Sequence, residues 1–337
     1  MKKIRFIPLL LIAGIILSLL SSRDKLCTEL IANTQKSVDL SDISIFYSNI
    51  NYNKIKAYSL KETNLQKAFN TFVPYSEGFL PKADYVHYKK ALTANGEPLP
   101  MMFQDYYETD DFVFFAFPGD LTSFKVLDRL SGEVNPLIME DSIFLSPMYV
   151  AHMREVNNQL IILAGQAHTY NALIYTVELP SLKVSQFRQL QTHPSALDSS
   201  HFTLTQNGES LFIADDKLQV YNPFTGEESF IPLPFKATGV INDSNMTLVY
   251  SEQDGVFHYT LLDEQLNLLP MQTITLPSSS CKLVDLVLKN HTLYLATLDV
   301  MGIRFKNYIS SYNLSTANLT YCLGIEDASP LSLIALQ

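Results

Sequence analysis

The chain has 337 residues, 47% hydrophobic and 17% charged, and carries a net charge of −10. That composition supplies a sizeable core and is too apolar for disorder. The acidic balance, with no cluster of Lys and Arg beyond the first residues, argues against a nucleic-acid partner.

Lys2, Lys3 and Arg5 precede an apolar run from Phe6 to Leu20, the pattern of an export or anchoring element. Ser22 would serve as the last residue before a cleavage site, but Leu20 then occupies the −3 position, where a small residue belongs. Ile4 and Ser21-Ser22 extend the run toward the ~20 residues that a spanning helix needs. Cys27 follows Arg23-Asp24-Lys25-Leu26, which is the wrong context for lipidation. The expectation is therefore a membrane tether through residues 4–22, with secretion after cleavage as the alternative. Either way the basic end stays inside and the chain from about Thr28 onward lies outside the cytoplasm. Residues 1–22 read as the signal or anchor segment, 23–40 as a linker, and 41–337 as the folded part.

Strand patterns begin at Ile43–Ser48 and Lys54–Ser59, with a third at Leu65–Phe69. A helical insertion follows at about 75–95, in which 82–94 sits between Pro81 and a capping Asn95-Gly96. From there a short apolar phrase recurs: Phe112-Val113-Phe114-Phe115-Ala116, Leu160-Ile161-Ile162-Leu163-Ala164, Leu211-Phe212-Ile213-Ala214, Leu248-Val249-Tyr250-Ser251 and Leu293-Tyr294-Leu295-Ala296. Between the small residues that end these phrases the steps are 48, 50, 37 and 45 residues. Before most of the phrases lies another apolar strand, joined through Asn157-Asn158, Gln206-Asn207-Gly208, Asp243-Ser244-Asn245 or Asn290-His291. Asn and Gly tolerate the positive φ that tight hairpins demand. After the phrase come an alternating strand, a turn such as Ser131-Gly132-Glu133 or Thr225-Gly226-Glu227, and a fourth strand.

A strand period in this range is what β-propeller blades produce. The expected fold is all-β: a β-propeller of about six four-stranded blades behind an N-terminal membrane segment, or seven if the stretch 73–102 holds another. Leu331–Leu336 reads as a strand with no turn partner after it, free to join the N-terminal unit. The phrase Glu209–Ala214, with Leu218–Asn222 and Thr225-Gly226-Glu227, resembles the repeat of bacterial six- to eight-bladed propellers. The resemblance covers roughly residues 41–337 and implies the fold without an activity. Trp is absent from the whole sequence, whereas WD and quinoprotein-dehydrogenase repeats carry it.

No nucleophile elbow, zinc-protease helix, phosphate-binding loop or dinucleotide fingerprint occurs. The chemistry-bearing residues that remain fall in loops after the second strand of each unit: Asp120, His168 beside Gln166, Asp215, Asp216, Glu252, Asp254 and Asp299. In a propeller such loops share one face. Carboxylates and amides there suit Ca²⁺ or sugar hydroxyls; the plainer alternative is that exposed turns favour Asp. The functional expectation is a ligand- or protein-binding module with a protein or carbohydrate partner. The alternative is a carbohydrate-active hydrolase or lyase, which needs two carboxyl groups ~5–9.5 Å apart. Cys281 and Cys322 are expected on the first and last strands of one unit, too far apart to pair, and to behave as small buried apolar residues.

Overall fold

Apolar runs broken by Asn, Asp and Gly turns fold here into strands, and the strands into four-stranded sheets. The computed structural model describes residues 43–49, 54–61, 64–69, 90–91, 94, 105–117, 119–140, 143, 145–166, 171–191, 201–214, 216–243, 246–277, 280–299, 306–325 and 331–335. Among them are six sheets.

The N-terminal sheet contains β1 (Ile43–Asn49), β2 (Lys54–Lys61) and β3 (Asn64–Phe69). Its order is β24-β1-β2-β3, so its first place is taken by the C-terminal strand β24 (Leu331–Ala335). Main-chain partners in that antiparallel pair run from Ile43 with Ala335 to Tyr47 with Leu331.

Each of the other five sheets is four consecutive strands in chain order. They are β4 (Asp105–Glu108), β5 (Phe112–Ala116), β6 (Lys125–Asp128) and β7 (Val134–Asn135); β8 (Met148–Val156), β9 (Gln159–Gln166), β10 (Asn171–Glu178) and β11 (Lys183–Gln191). Next are β12 (Phe202–Leu204), β13 (Ser210–Ala214), β14 (Lys217–Tyr221) and β15 (Glu228–Pro232). The fifth sheet has β16 (Gly239–Asp243), β17 (Met246–Gln253), β18 (Val256–Leu262) and β19 (Gln272–Thr275). The last has β20 (Cys281–Lys289), β21 (Thr292–Asp299), β22 (Lys306–Asn313) and β23 (Asn318–Ile325).

The chain forms two compact units, residues 1–72, 252–258 and 272–337 in one and residues 73–251 and 259–271 in the other. The second unit shows why the recurring phrase is apolar at every position. Along β9, Leu160, Ile162 and Ala164 pack with Phe114, Val126 and Tyr175. The intervening Ile161 and Leu163 pack with Phe202, Phe212 and Tyr221. Strand side chains alternate between two faces, so a strand covered on both reads as a continuous apolar run. A third cluster joins Leu211, Ile213 and Leu218 with Val240, Val249 and Leu262. Each such side chain taken out of water contributes about 1.5–3 kcal/mol.

All five phrase-ending residues lie on the second strand of their sheets, but not all at its end. Ala116 and Ala214 close β5 and β13, whereas Ala164, Ser251 and Ala296 stand inside the longer β9, β17 and β21. Those strands run on through polar residues, Gln166, Glu252 and Asp299, which the apolar pattern does not count.

Two turn types repeat. Asn157-Asn158, Asp254-Gly255 and Asn290-His291 form two-residue hairpins with positive φ at both positions, the geometry that matches strand twist. The link between third and fourth strands is a wider loop closed by a main-chain hydrogen bond over four residues. In it the Gly132 N–H donates to the Asp128 carbonyl and the Gly226 N–H to the Asn222 carbonyl, both at 2.8 Å. The side chain that opens the loop accepts two further N–H groups, from Leu130 and Ser131 onto Asp128 and from Phe224 and Thr225 onto Asn222. Asn313 does the same for Ser315 and Thr316.

Cys281 is a buried free thiol and Cys322 is disulfide-bonded. The two do not pair, as their places on β20 and β23 require. The expectation of a plain buried thiol is corrected at Cys322, because burial alone says nothing of a bond to a residue distant in sequence. Of the expected helix, Lys90, Ala91 and Ala94 are helical; its remainder, the N-terminal segment and Cys27 lie outside the described residues. Among the described residues no helix is long and apolar enough to cross a membrane.

Glycine is required for two different reasons. Gly226 has φ +74° with nothing within 4 Å of where a Cβ would stand, whereas a Cβ on Gly239 would overlap the ring of its cross-strand partner Tyr250. Gly226→Ala should therefore cost only backbone strain, about 1 kcal/mol. Gly239→Ala should cost about 2–3 kcal/mol through overpacking, part of it recovered when Tyr250→Ala is added. Urea unfolding of the three variants measures this. Equal losses at the two glycines would remove the ring overlap from the account.

Candidate functional site

The structure places the described site residues either in the connection after the second strand, as Asp120, Asp216 and Asp254, or within the end of that strand, as Glu252 of β17 and Asp299 of β21. In the second unit, Asp120 lies between β5 and β6 and caps a single 3-10 turn at Leu121–Ser123. Its Oδ1 accepts from the Thr122 N–H at 2.9 Å and from the Thr122 hydroxyl at 2.5 Å. The preceding Gly119 carbonyl accepts from the Met148 N–H at 2.8 Å, and Met148 is the ladder partner of Gln166 at the end of β9. The β5–β6 connection and the end of β9 are thus held at one edge of this unit.

Gln166 is the centre of a polar network there. Its Nε2 donates to the Ser146 hydroxyl at 2.8 Å, and its Oε1 accepts from Asn171 Nδ2 at 2.9 Å. Gln189 Nε2 lies 3.4 Å from the same oxygen. Asn171 opens β10 and Gln189 sits on β11, so three strands of one sheet supply the amides. Below this end, the Tyr175 hydroxyl is pushed above its ordinary value, chiefly by burial and further by the charge of Asp120. Asp216 is exposed between β13 and β14, and its carbonyl accepts from the Leu233 N–H at 2.8 Å. His168 and Asp215 lie outside the described residues.

In the first unit, Asp299 ends β21 and is buried. Its Oδ1 accepts from the Ser280 hydroxyl at 2.6 Å, and it faces Cys281 across the ladder. Glu252, near the end of β17, lies 3.7 Å from Lys282 Nζ. Since Ser280 and Lys282 flank Cys281 at the start of β20, both carboxylates meet the same strand end. Asp254 is exposed at the tip of the β17–β18 hairpin, where its φ of 52° serves the turn.

In each unit most of these carboxylates already have work within the fold. Asp120 caps a turn, Asp299 is bound by a hydroxyl, and Glu252 stands beside a lysine. Among the described residues no group of three or more His, Cys, Asp or Glu side chains is placed to hold a metal ion. What remains outward is mixed amide, hydroxyl and carboxylate chemistry, suited to hydrogen bonding with hydroxyl- or amide-bearing groups. Sequence reading found the carboxylates through their loops. It passed over Ser146, Asn171 and Gln189 in the second unit and Ser280 in the first, which carry no motif and meet their partners only through folding.

A second polar concavity of about 250 Å³ lies in the second unit, lined by Thr205, Gln206, Glu209, Asn242, Thr247 and Asp263 among others. It stands at the turns joining first to second and third to fourth strands, the ends away from Asp120 and Gln166. Asp263 there accepts N–H groups from Asn267 and Gln265, which hold its carboxyl below the usual range.

Different costs follow for the two carboxylates of the first unit. Ser280→Ala withdraws the hydroxyl that the buried Asp299 Oδ1 accepts from at 2.6 Å and should cost about 2 kcal/mol, as for a hydrogen bond to a charged group. Lys282→Ala breaks a half-exposed pair at 3.7 Å and should cost less than about 1 kcal/mol. Urea midpoints of the two variants decide it, and the reverse order would show that Asp299 is not held as described.

No protein-family model matches the chain, and no curated protein matches it in sequence. Solved structures do. A putative 6-phosphogluconolactonase from Bacteroides fragilis is 12% identical with a TM-score of 0.52, covering 90% of this chain and 100% of its own. TolB from Acinetobacter baumannii is 12% identical with a TM-score of 0.44, over 89% of this chain and 68% of that one. The extracellular domain of a putative one-component system from B. thetaiotaomicron is 13% identical with a TM-score of 0.41, and the chain spans 35% of its length. At such identities the likeness is one of fold, and the fold is all-β and propeller-like.

Proposed function

We propose that this chain is a six-bladed β-propeller that acts as an extracytoplasmic binding module, tethered to the membrane through residues 4–22. In this reading each four-stranded sheet is a blade, and the pairing of β24 with β1 joins the two chain ends in one blade. The ligand face gathers the connections between second and third strands, bringing Asp120, His168, Asp215, Asp216, Glu252, Asp254 and Asp299 to one rim. The partner is a protein or a carbohydrate, taken by hydrogen bonds.

The observation that carries the reading is the Gln166 network, in which Ser146, Asn171 and Gln189 hold an amide at the end of β9. Amides and hydroxyls so ordered are the pre-arranged polar groups that fix a ligand's orientation. The basic residues before the apolar run support export, and the disulfide at Cys322 suits an oxidising compartment. The propeller-like fold shared with the B. fragilis protein supports the architecture.

Fractionation of cells producing the full chain with a C-terminal tag tests the placement. The tagged protein should sediment with membranes and be cut by protease added from outside. Recovery of an intact, protected protein in the cytosolic fraction would contradict the proposal, and a soluble exported form beginning near Arg23 would replace the tether by cleavage.

A further inference from the structure

A separate cleft of about 360 Å³ opens in the second unit between the sheets β8–β11 and β12–β15. Its floor is Ile174 and Thr176 of β10 with Tyr221 of β14. One wall is Pro223 and Phe224 of the β14–β15 turn, and Arg188 of β11 stands beside Ile174 in the ladder. Phe224 is 41% exposed, whereas Ile174, Thr176, Tyr221 and Pro223 are buried, so an aromatic face is left toward solvent at the entrance.

Polar groups also line this cleft. Tyr221 is 5% exposed and Thr176 is 3% exposed. Both line the cleft. Arg188 is the only charged side chain lining the cleft, and among the described residues it has no ion pair. Of the two acids of the adjoining turn, Glu227 has the Thr225 hydroxyl at 3.4 Å and Glu228 accepts from Gln219 at 2.8 Å. In a chain of net charge −10, this is a local cation beside apolar walls and two hydroxyls.

We propose that this cleft binds an apolar group that carries a carboxylate, the carboxylate on Arg188 with the Tyr221 and Thr176 hydroxyls and the apolar body against Ile174, Pro223 and Phe224. A guanidinium presents a planar fork of donors that matches a carboxylate. The volume is at the lower end of the ~300–1,000 Å³ range of ligand sites and suits one ring or branched side chain. Two sources share this chemistry, a free small acid and the C-terminal residue of a peptide. The cleft is distinct from the Asp120–Gln166 rim, so its test stands apart from that of the proposed function.

The experiment titrates full-length protein, labelled at Ile and Thr methyl groups and held in detergent, with N-acetyl-phenylalanine and with its neutral amide. The acid should give a saturable shift at Ile174 and Thr176, with the amide at least ten-fold weaker. Arg188→Gln, which changes an exposed side chain and should leave the melting temperature in place, should weaken the acid at least ten-fold. Tyr221→Phe should weaken it about three-fold. The tripeptide Gly-Gly-Phe separates the sources: tighter binding than the acetylated amino acid assigns a peptide terminus, equal binding a free acid. No saturable shift, equal binding of acid and amide, or undiminished binding by Arg188→Gln overturns the proposal.

Discussion

A β-strand that is apolar on both faces has to be covered on both faces, and the second strand of nearly every sheet here is of that kind. All five residues of β5 are buried, as are the six central residues of β9. One sheet alone would leave such a strand half in water, so these sheets are stable only when stacked. In the second unit the stacking is visible as successive clusters in which β9 and β13 each serve two neighbours. Repeat architectures share this dependence of each element on the next. Outer strands obey no such demand. β15 is exposed or half-exposed along its whole length, and its Pro232 limits what another strand could add at that edge.

Coverage of the middle strands leaves the ends of the strands for function. The polar residues that finish β9, β17 and β21 continue the strands beyond the apolar phrase, and there Gln166, Glu252 and Asp299 find partners from neighbouring strands. The same rule places the further cleft. Arg188 of the edge strand β11 and the turn after Tyr221, which leads from β14 to the edge strand β15, line a concavity between the two sheets. One stacking constraint thus accounts for the polar strand ends and for the cleft.

Sheet content and strand order were readable from the chain because their causes are local. The phrase Leu160–Ala164 is apolar because it is buried twice, and Asn157-Asn158 and Asn290-His291 announce hairpins because they adopt positive φ. Asp128, Asn222 and Asn313 could also have been read, since each opens a third-to-fourth-strand loop with its own side chain as acceptor. Their spacing to Gly132, Gly226 and Ala317 is a repeat that the apolar pattern hides. The site was legible only as a set of loop carboxylates. That Asp299 would be buried on Ser280, or that Tyr221 and Arg188 would share a cleft, depends on residues brought together by folding. Periodicity gives a side chain's face and not its partners.

The central claim is that every sheet needs four strands, and that the N-terminal sheet obtains its fourth from the C-terminus. Amide hydrogen exchange on the full chain and on a form lacking residues 331–337 tests it most directly. Without β24, protection should fall across β1 and its neighbours β2 and β3, while the self-contained sheet β8–β11 keeps its protection. Unchanged protection of Ile43–Asn49 after the deletion would contradict the account.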